Sequence, residues 1–180
     1  YNFAEIRGEL RGHGCAFRSG TDTEVLLEAY RVWGTASFDR FIGMFAFALW
    51  DARRQRLLLV RDRLGIKPLY YQWHDGVLVF GSELKALRAH RGFLPDIDRT
   101  ALARYLRNGW TSGEQSIYRH TRRLPPGSFL VWEGGSLHSE RFWKLEQGEE
   151  GPEPSFEQAV DRLEALLGDA VERRLFADVP

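Results

Sequence analysis

Residues 61–71 read RDRLGIKPLYY, a charged segment enclosed by short apolar runs. Four such runs surround it, at 44–50, 57–60, 69–73 and 77–80. Runs of this length, joined by short polar turns, predict antiparallel strands, and the first suits a strand buried on both faces. Within the segment, Gly65 can adopt a positive φ, while Pro68 fixes its own φ and keeps Lys67 extended. We therefore expect a shaped, charged loop held on a rigid sheet.

Composition limits the classes of protein to which the chain can belong. Its 180 residues are 43% hydrophobic and 13% aromatic, enough to bury the core of one domain with a short piece of a second. Lys and Arg together number 25, as do Asp and Glu together, so no basic field favours nucleic acid. The only cysteine, Cys15, excludes an internal disulfide and a clustered thiolate metal site. No signal peptide or membrane-spanning run is visible, and we expect a cytoplasmic protein.

Helical patterns dominate the part of the chain before the apolar runs. Residues 1–10 predict a short helix, and residues 15–17 a short strand. Thr21 and Glu24 have the spacing of a capping box, which predicts a second helix that ends at Gly34. Further helices are expected at 37–41, at 82–87 and from the cap Asp98 to Asn108.

The last third of the chain predicts a hairpin, a linker and a helix. Residues 124–143 form the hairpin, entered through the turn sequence LPPG. Residues 146–154 are rich in Glu, Gly and Pro, as in an exposed linker at a domain boundary. Beyond it, Ser155 and Gln158 form a second capping-box pattern. The helix that follows carries an apolar stripe of Val160, Leu163, Leu167, Val171 and Leu175.

Taken residue by residue, the candidate functional groups have plain structural interpretations. No phosphate-binding glycine loop, HExxH or CxxC motif occurs. Cys15 is favoured as a small buried hydrophobe over a nucleophile, and Asp22 as a first-turn acid that interacts with the helix dipole over a ligand. Five histidines without ligand spacing are expected to be solvated, namely His13, His74, His90, His120 and His138.

Three longer stretches carry a resemblance to a known family. They read GMFAFALWD at 43–51, RDRLGIKPLYY at 61–71 and SELKAL at 82–87. In order and spacing they resemble the amino-terminal glutaminase domain of glutamine-dependent asparagine synthetases. Shorter motifs extend the match over essentially the whole chain, namely YN at 1–2, GTDTEV at 20–25, LPPG at 124–127 and ADVP at 177–180.

The resemblance implies an α+β fold of the amino-terminal-nucleophile hydrolase type. This fold is an αββα sandwich of two antiparallel sheets between helix layers, here without its first strands. The glutaminase domain would occupy residues 1–145 and the linker residues 146–154. Residues 155–180 would begin an α/β synthetase domain of the ATP-pyrophosphatase type, including its first helix.

The same resemblance implies a two-step chemistry. An N-terminal cysteine, with its own α-amine as base, attacks glutamine, forms a thioester and releases ammonia. An Asn-Gly pair stabilises the oxyanion. In a second domain, ATP and Mg²⁺ activate aspartate as an acyl-adenylate, and its reaction with ammonia leaves asparagine, AMP and pyrophosphate as products.

Only Asp22 matches a substrate contact of that family, the carboxylate that holds the α-amino group of glutamine. Cys15 does not match the nucleophile. We expect four functional elements of the family to lie outside the chain: the nucleophile, the Asn-Gly pair, the arginine that binds the substrate carboxylate and the ATP loop. The chain by itself would therefore be catalytically inactive. Neither a metal ligand nor a cofactor site is expected within it. The implied partners are glutamine, aspartate and ATP, without nucleic acid or membrane, and a homodimer is compatible with the sequence.

Two other functions stay open on these residues. The same glutaminase half could serve an acceptor other than aspartate, such as an envelope sugar or a secondary metabolite. Alternatively, a degenerate, non-catalytic member could use the fold as a binding or assembly module.

The 61–71 loop is favoured as structural. Arg61 and Asp62, at a strand end, would form a paired, hydrogen-bonded corner that keeps the sheet and neighbouring loops in register. Glu83 is likewise interpreted as an acid at a helix start.

Overall fold

The computed structural model describes residues 2–111, 113–145 and 154–175. Its helices are α1 (Phe3–Gly12), α2 (Asp22–Trp33), α3 (Ser37–Arg40), α4 (Leu84–Arg88), α5 (Arg99–Asn108) and α6 (Phe156–Glu172). Its strands are β1 (Ala46–Asp51), β2 (Arg56–Arg61), β3 (Tyr70–His74), β4 (Val77–Gly81), β5 (Thr121–Arg123), β6 (Ser128–Glu133) and β7 (Ser136–Arg141). The chain divides into two units. One is Met44–Lys144, with these strands, and the other is Tyr1–Gly43 together with Leu145–Pro180.

The strands form two antiparallel sheets, as the resemblance implied. One sheet has the order β1-β2-β6-β7 and the other the order β4-β3-β5. Strands that follow each other in the chain pair as hairpins at β1/β2, β3/β4 and β6/β7. By contrast, β2 and β3 lie in different sheets, so residues 61–71 carry the chain from one sheet to the other. The apolar runs predicted the strands but not this crossing.

The core of the strand-containing unit lies between its two sheets. Leu59 and Leu130 come from one sheet and Tyr71 from the other, while Leu69 and Leu124 flank the second sheet. Partly buried Ala46, Leu57, Leu78 and Leu137 pack around these buried residues. Each fully buried leucine contributes about 1.5–3 kcal/mol to stability relative to an exposed one. This shared cluster therefore holds the two sheets together.

Strand β1 corrects one prediction. The run at 44–50 was expected to be buried on both faces, but Ala48 is exposed and Trp50 is 49% exposed. Among the described residues β1 pairs only with β2, so it is an edge strand with less cover. The strand buried on both faces is β2, where Leu58 and Leu59 point to opposite faces and both are fully buried.

The unit that contains residues 1–43 confirms the predicted helices near the start of the chain. Helices α1 and α2 pack together and bury Ile6 and Leu10 from α1 and Val25 and Ala29 from α2. Each is amphipathic, so the apolar stripe explains the packing, although Leu27 on α2 stays exposed. Helix α2 is followed by its C-cap residue Gly34, which has a φ of +60°.

The prediction of a short strand at residues 15–17 is wrong. Cys15 instead donates its backbone N–H to the Leu10 carbonyl at 3.0 Å, which completes the end of α1. Residues 15–17 form no strand and pair with none of the described strands. A short apolar segment without a paired neighbour has no ladder to join.

Helices α5 and α6 begin at the caps that the sequence predicts. Asp98 Oδ1 accepts the N–H groups of Thr100 and Ala101 at 2.8 and 3.1 Å. Ser155 and Gln158 form both bonds of a capping box. The part of the predicted apolar stripe that lies on α6, from Val160 to Val171, is 44–57% exposed, and Leu175, which lies beyond the end of the helix, is 75% exposed.

The predicted linker at 146–154 lies outside the described residues except for Pro154. The division at this linker into a glutaminase and a synthetase domain stays a prediction. Within the ranges that the structure describes, no helix is long and apolar enough to cross a membrane.

Candidate functional site

Asp22 is the first residue of α2 and its side chain is exposed. The cap before it is Thr21, whose Oγ1 accepts the Glu24 N–H at 3.3 Å. The hydroxyl of Thr23 donates to Asp22 Oδ1 at 3.4 Å. No arginine, lysine or histidine of the described chain forms an ion pair with Asp22. The carboxylate is therefore available to a cation that arrives from solvent.

Glu24 holds the loop that precedes Asp22. Its carboxylate accepts the backbone N–H groups of Arg18 and Ser19, both at 2.7 Å, and the Ser19 hydroxyl at 2.6 Å. The bonds from Arg18 and from the Ser19 hydroxyl, with smaller contributions from the Ser19 N–H and the charge of Arg7, lower the pKa of Glu24 to about 2.

These contacts correct the predicted capping box at Thr21 and Glu24. Only half of it forms, the bond from the Glu24 N–H to the Thr21 hydroxyl. The Thr21 N–H faces the Ser19 hydroxyl at 3.3 Å instead of the Glu24 carboxylate. The two N–H groups at Arg18 and Ser19 offer Glu24 stronger bonds, so its side chain reaches past the cap.

Arg7 holds the same loop from α1. Its guanidinium donates to the carbonyls of Ser19 and Thr21, each at 2.9 Å. The guanidinium carbon lies 5.0 Å from the Phe17 ring centroid and 6.0 Å from that of Phe3. The segment 18–21 is therefore bound by an anion on its N–H side and by a cation on its carbonyl side.

Arg61 lies at the end of β2 and is only 5% exposed. Its guanidinium donates to the carbonyls of Gly65, Lys67 and Leu124, the last two at 2.8 and 2.6 Å. Burial, together with the nearby Arg123, lowers the pKa of Arg61. The described hydrogen bonds of the Arg61 guanidinium all go to backbone carbonyls, one of which lies 63 residues away in sequence.

Asp62 is fully buried and complements Arg61. Its carboxylate accepts the N–H groups of Phe45, Ile66 and Lys67 at 3.3, 2.9 and 3.0 Å. The structural interpretation of this corner is thus confirmed. It differs in one respect, because each charged side chain binds backbone groups and not its neighbour.

The other candidate residues do not belong to the site at Asp22. Cys15 is buried, as expected, and its sulfur accepts Arg31 Nη2 at 3.2 Å. Glu83 precedes α4 without capping it and pairs with Lys85 at 2.6 Å. The five histidines are exposed, which confirms that prediction, and the described residues contain no group of three metal-ligating side chains.

Sequence reasoning missed Arg7 and misplaced Glu24. The spacing of Thr21 and Glu24 signalled a contact between the helix start and Glu24 but named the wrong acceptor. Nothing in the sequence signals Arg7, because its partners lie 12 and 14 residues along the chain.

Comparisons with known proteins support the resemblance to glutamine-dependent asparagine synthetases. A family described as a glutamine amidotransferase domain matches residues 1–143. Asparagine synthetase 3 of Bacillus subtilis is 38% identical over all of this chain, which covers 29% of that relative. A putative asparagine synthetase 2 of Methanocaldococcus jannaschii is 30% identical over all of the chain, which covers 35% of it. The chain thus spans about a third of the length of these curated relatives.

A solved structure supports the fold. The glutamine phosphoribosylpyrophosphate amidotransferase of B. subtilis superposes with a TM-score of 0.53 at 21% identity, over 79% of this chain and 27% of its own. The two antiparallel sheets and their helices therefore match an amidotransferase fold of the amino-terminal-nucleophile hydrolase type. From residue 1 to residue 143, the chain belongs to the glutamine amidotransferase domain family.

Proposed function

We propose that this chain is part of a glutamine-hydrolysing asparagine synthetase and supplies Asp22 as a ligand of the glutamine α-ammonium group. The observation that carries the proposal is the state of Asp22. It is exposed at a helix start, it has no cation partner among the described residues, and the loop before it is bound on both sides. Asp22 also occupies the position that matches the family's substrate carboxylate.

The role of Asp22 in the reaction is binding and orientation. Removal of the carboxylate that pairs with an ammonium group in a closed site costs about 2–4 kcal/mol of binding free energy, because the cation is left uncompensated. The same contact places the far end of glutamine, its side-chain amide, at a set distance from Asp22. In this proposal, none of the residues that the structure describes forms or breaks a bond with the substrate.

The chemistry of the whole protein belongs to the proposal. An N-terminal cysteine outside this chain attacks the side-chain amide of bound glutamine, and its α-amine takes up the thiol proton and passes it to the leaving amide nitrogen. Ammonia leaves, and water then hydrolyses the thioester to glutamate. In the second domain, which binds ATP and Mg²⁺ outside this chain, aspartate is activated and ammonia converts it to asparagine. We further propose that the protein acts in the cytoplasm on small molecules and that it can form a homodimer.

A paired assay tests the proposal on the expressed open reading frame that contains this chain. Wild type and Asp22→Asn are each supplied with glutamine or with an ammonium salt. We expect a loss of roughly 30- to 1000-fold in glutamine-dependent kcat/KM, the equivalent of about 2–4 kcal/mol. Ammonia-dependent asparagine formation should be unchanged, because ammonia bypasses the glutaminase site.

Three outcomes would contradict the proposal. Unchanged glutamine kinetics, or equal loss from both nitrogen sources, would remove Asp22 as a substrate ligand. Release of ammonia from glutamine without any asparagine would assign the domain to another acceptor.

A further inference from the structure

We infer that Arg7 and Glu24 are positioning residues for glutamine, because they clamp the loop at 18–21 from two helices and thereby preset Asp22 for the substrate ammonium. This inference rests on the proposed role of Asp22. It concerns two side chains that touch neither Asp22 nor, in the proposal, the substrate. Their effect on glutamine would pass through the backbone of the loop.

Glu24 acts on the first half of the loop. Both carboxylate oxygens are used, Oε1 by the Arg18 N–H and Oε2 by the N–H and hydroxyl of Ser19. The bonds to an ionised acceptor are short, at 2.6–2.7 Å, and such bonds are about twice as strong as neutral ones. Since Glu24 is the third residue of α2, within its first turn, these bonds tie the loop to the same helix that carries Asp22.

Arg7 acts on the second half. One guanidinium nitrogen binds the Ser19 carbonyl and another binds the Thr21 carbonyl, so the pair spans Gly20 between them. The Thr21 carbonyl belongs to the peptide group whose N–H is that of Asp22. Arg7 therefore fixes the plane of the peptide bond that leads into Asp22.

The two clamps have opposite charge for a physical reason. The loop offers N–H donors at its start and carbonyl acceptors at its end, so an anion suits one side and a cation the other. A loop held in this way loses little conformational freedom when a ligand binds, and preorganisation of this kind improves affinity. Bonds that only stabilised the fold would have no reason to affect the affinity for glutamine.

Four single variants of the complete protein test the inference. Glu24→Gln and Arg7→Lys weaken the clamps; lysine keeps the charge but cannot present two coplanar donors. Glu28→Gln and Arg11→Lys are matched controls one turn further along the same helices, and neither side chain contacts the loop in the described structure. For each we would measure KM and kcat with glutamine, and ammonia-dependent activity as a check on folding.

For Glu24→Gln and Arg7→Lys we expect KM for glutamine to rise about tenfold, equivalent to about 1.4 kcal/mol, with kcat within about threefold of wild type. Ammonia-dependent activity and both controls should stay at the wild-type level. Wild-type KM in the two clamp variants, or equal loss with glutamine and ammonia, would overturn the inference.

A double-mutant cycle separates this inference from the proposed function. If Glu24 acts through Asp22, the effect of Glu24→Gln on KM should largely disappear in an Asp22→Asn background. Independent effects that multiply would overturn the positioning role. If Asp22→Asn is impaired and the clamp variants are not, the inference alone fails; if Asp22→Asn behaves as wild type, the proposed function fails and the inference with it.

Discussion

Two loops of this chain are held by charged side chains, and they differ in whether a neighbouring charge is left for a ligand. At residues 61–71, the charges of Arg61 and Asp62 are buried and their contacts go to backbone groups. At residues 18–21, Arg7 and Glu24 bind the backbone while the carboxylate of Asp22 stays exposed without a cation partner in the described chain. A charged motif with a strong sequence signature can thus be structural, while the carboxylate suited to a ligand lies in a less conspicuous one.

The largest effect should come from removal of the buried carboxylate. Asp62→Ala removes a fully buried carboxylate and leaves three part-buried N–H groups without their acceptor, so we expect a loss of about 3–5 kcal/mol in the free energy of unfolding. Chemical denaturation of the complete protein would measure it. Asp96→Ala, at an exposed site near His120, is the control and should change stability by less than about 0.5 kcal/mol. Similar small losses for both variants would show that the corner is not structural.

A smaller effect should follow from a methyl group inside the same corner. Gly65 has a φ of +66°, and a Cβ there would lie 2.9 Å from both the guanidinium carbon of Arg61 and the Cγ of Pro126. We expect Gly65→Ala to cost about 2–3 kcal/mol, because unfavourable φ and displacement of Arg61 add.

Gly134 provides the matched control for that substitution. Its φ is +57° and a Cβ would meet nothing within 4 Å, so Gly134→Ala should cost only about 1 kcal/mol. The difference between the two variants measures the contacts with Arg61 and Pro126 without the backbone penalty. Equal unfolding free energies would mean that both side chains move aside freely.

The smallest effect should be a pH dependence at the other loop. The pKa of Glu24 is about 2 in the folded chain against an ordinary value of 4.5. Because the folded value is the lower one, the stabilising contribution of Glu24 is complete above pH 4.5 and is lost as the pH falls towards 2. In this window Tm of wild type should fall more steeply than Tm of Glu24→Gln. Parallel curves for wild type and Glu24→Gln would show that the clamp is not charge-assisted.

Much of the secondary structure could be predicted because its signals are local. Asp98 and Ser155 cap helices whose first N–H groups lie two or three residues away. The four apolar runs gave the first four strands, since a short apolar run bounded by polar turns has few other uses. Errors arose where the outcome depends on a distant neighbour. Edge exposure of β1 and the missing strand at 15–17 both follow from which segments pair, and neither segment contains that information.

The candidate site divides in the same way. The position of Asp22 at a helix start follows from its neighbours in sequence, and its match to the glutaminase motif adds a functional expectation. The sequence alone therefore determined six of the seven described strands, most helices, the caps at Asp98 and Ser155 and this one carboxylate, but not β5 (Thr121–Arg123). Only the tertiary structure decided that β2 and β3 enter different sheets, that Arg61 reaches the Leu124 carbonyl and that Arg7 reaches Ser19. The reason is range: propensity and capping act over a few residues, whereas these hydrogen bonds form only after packing has brought distant segments together.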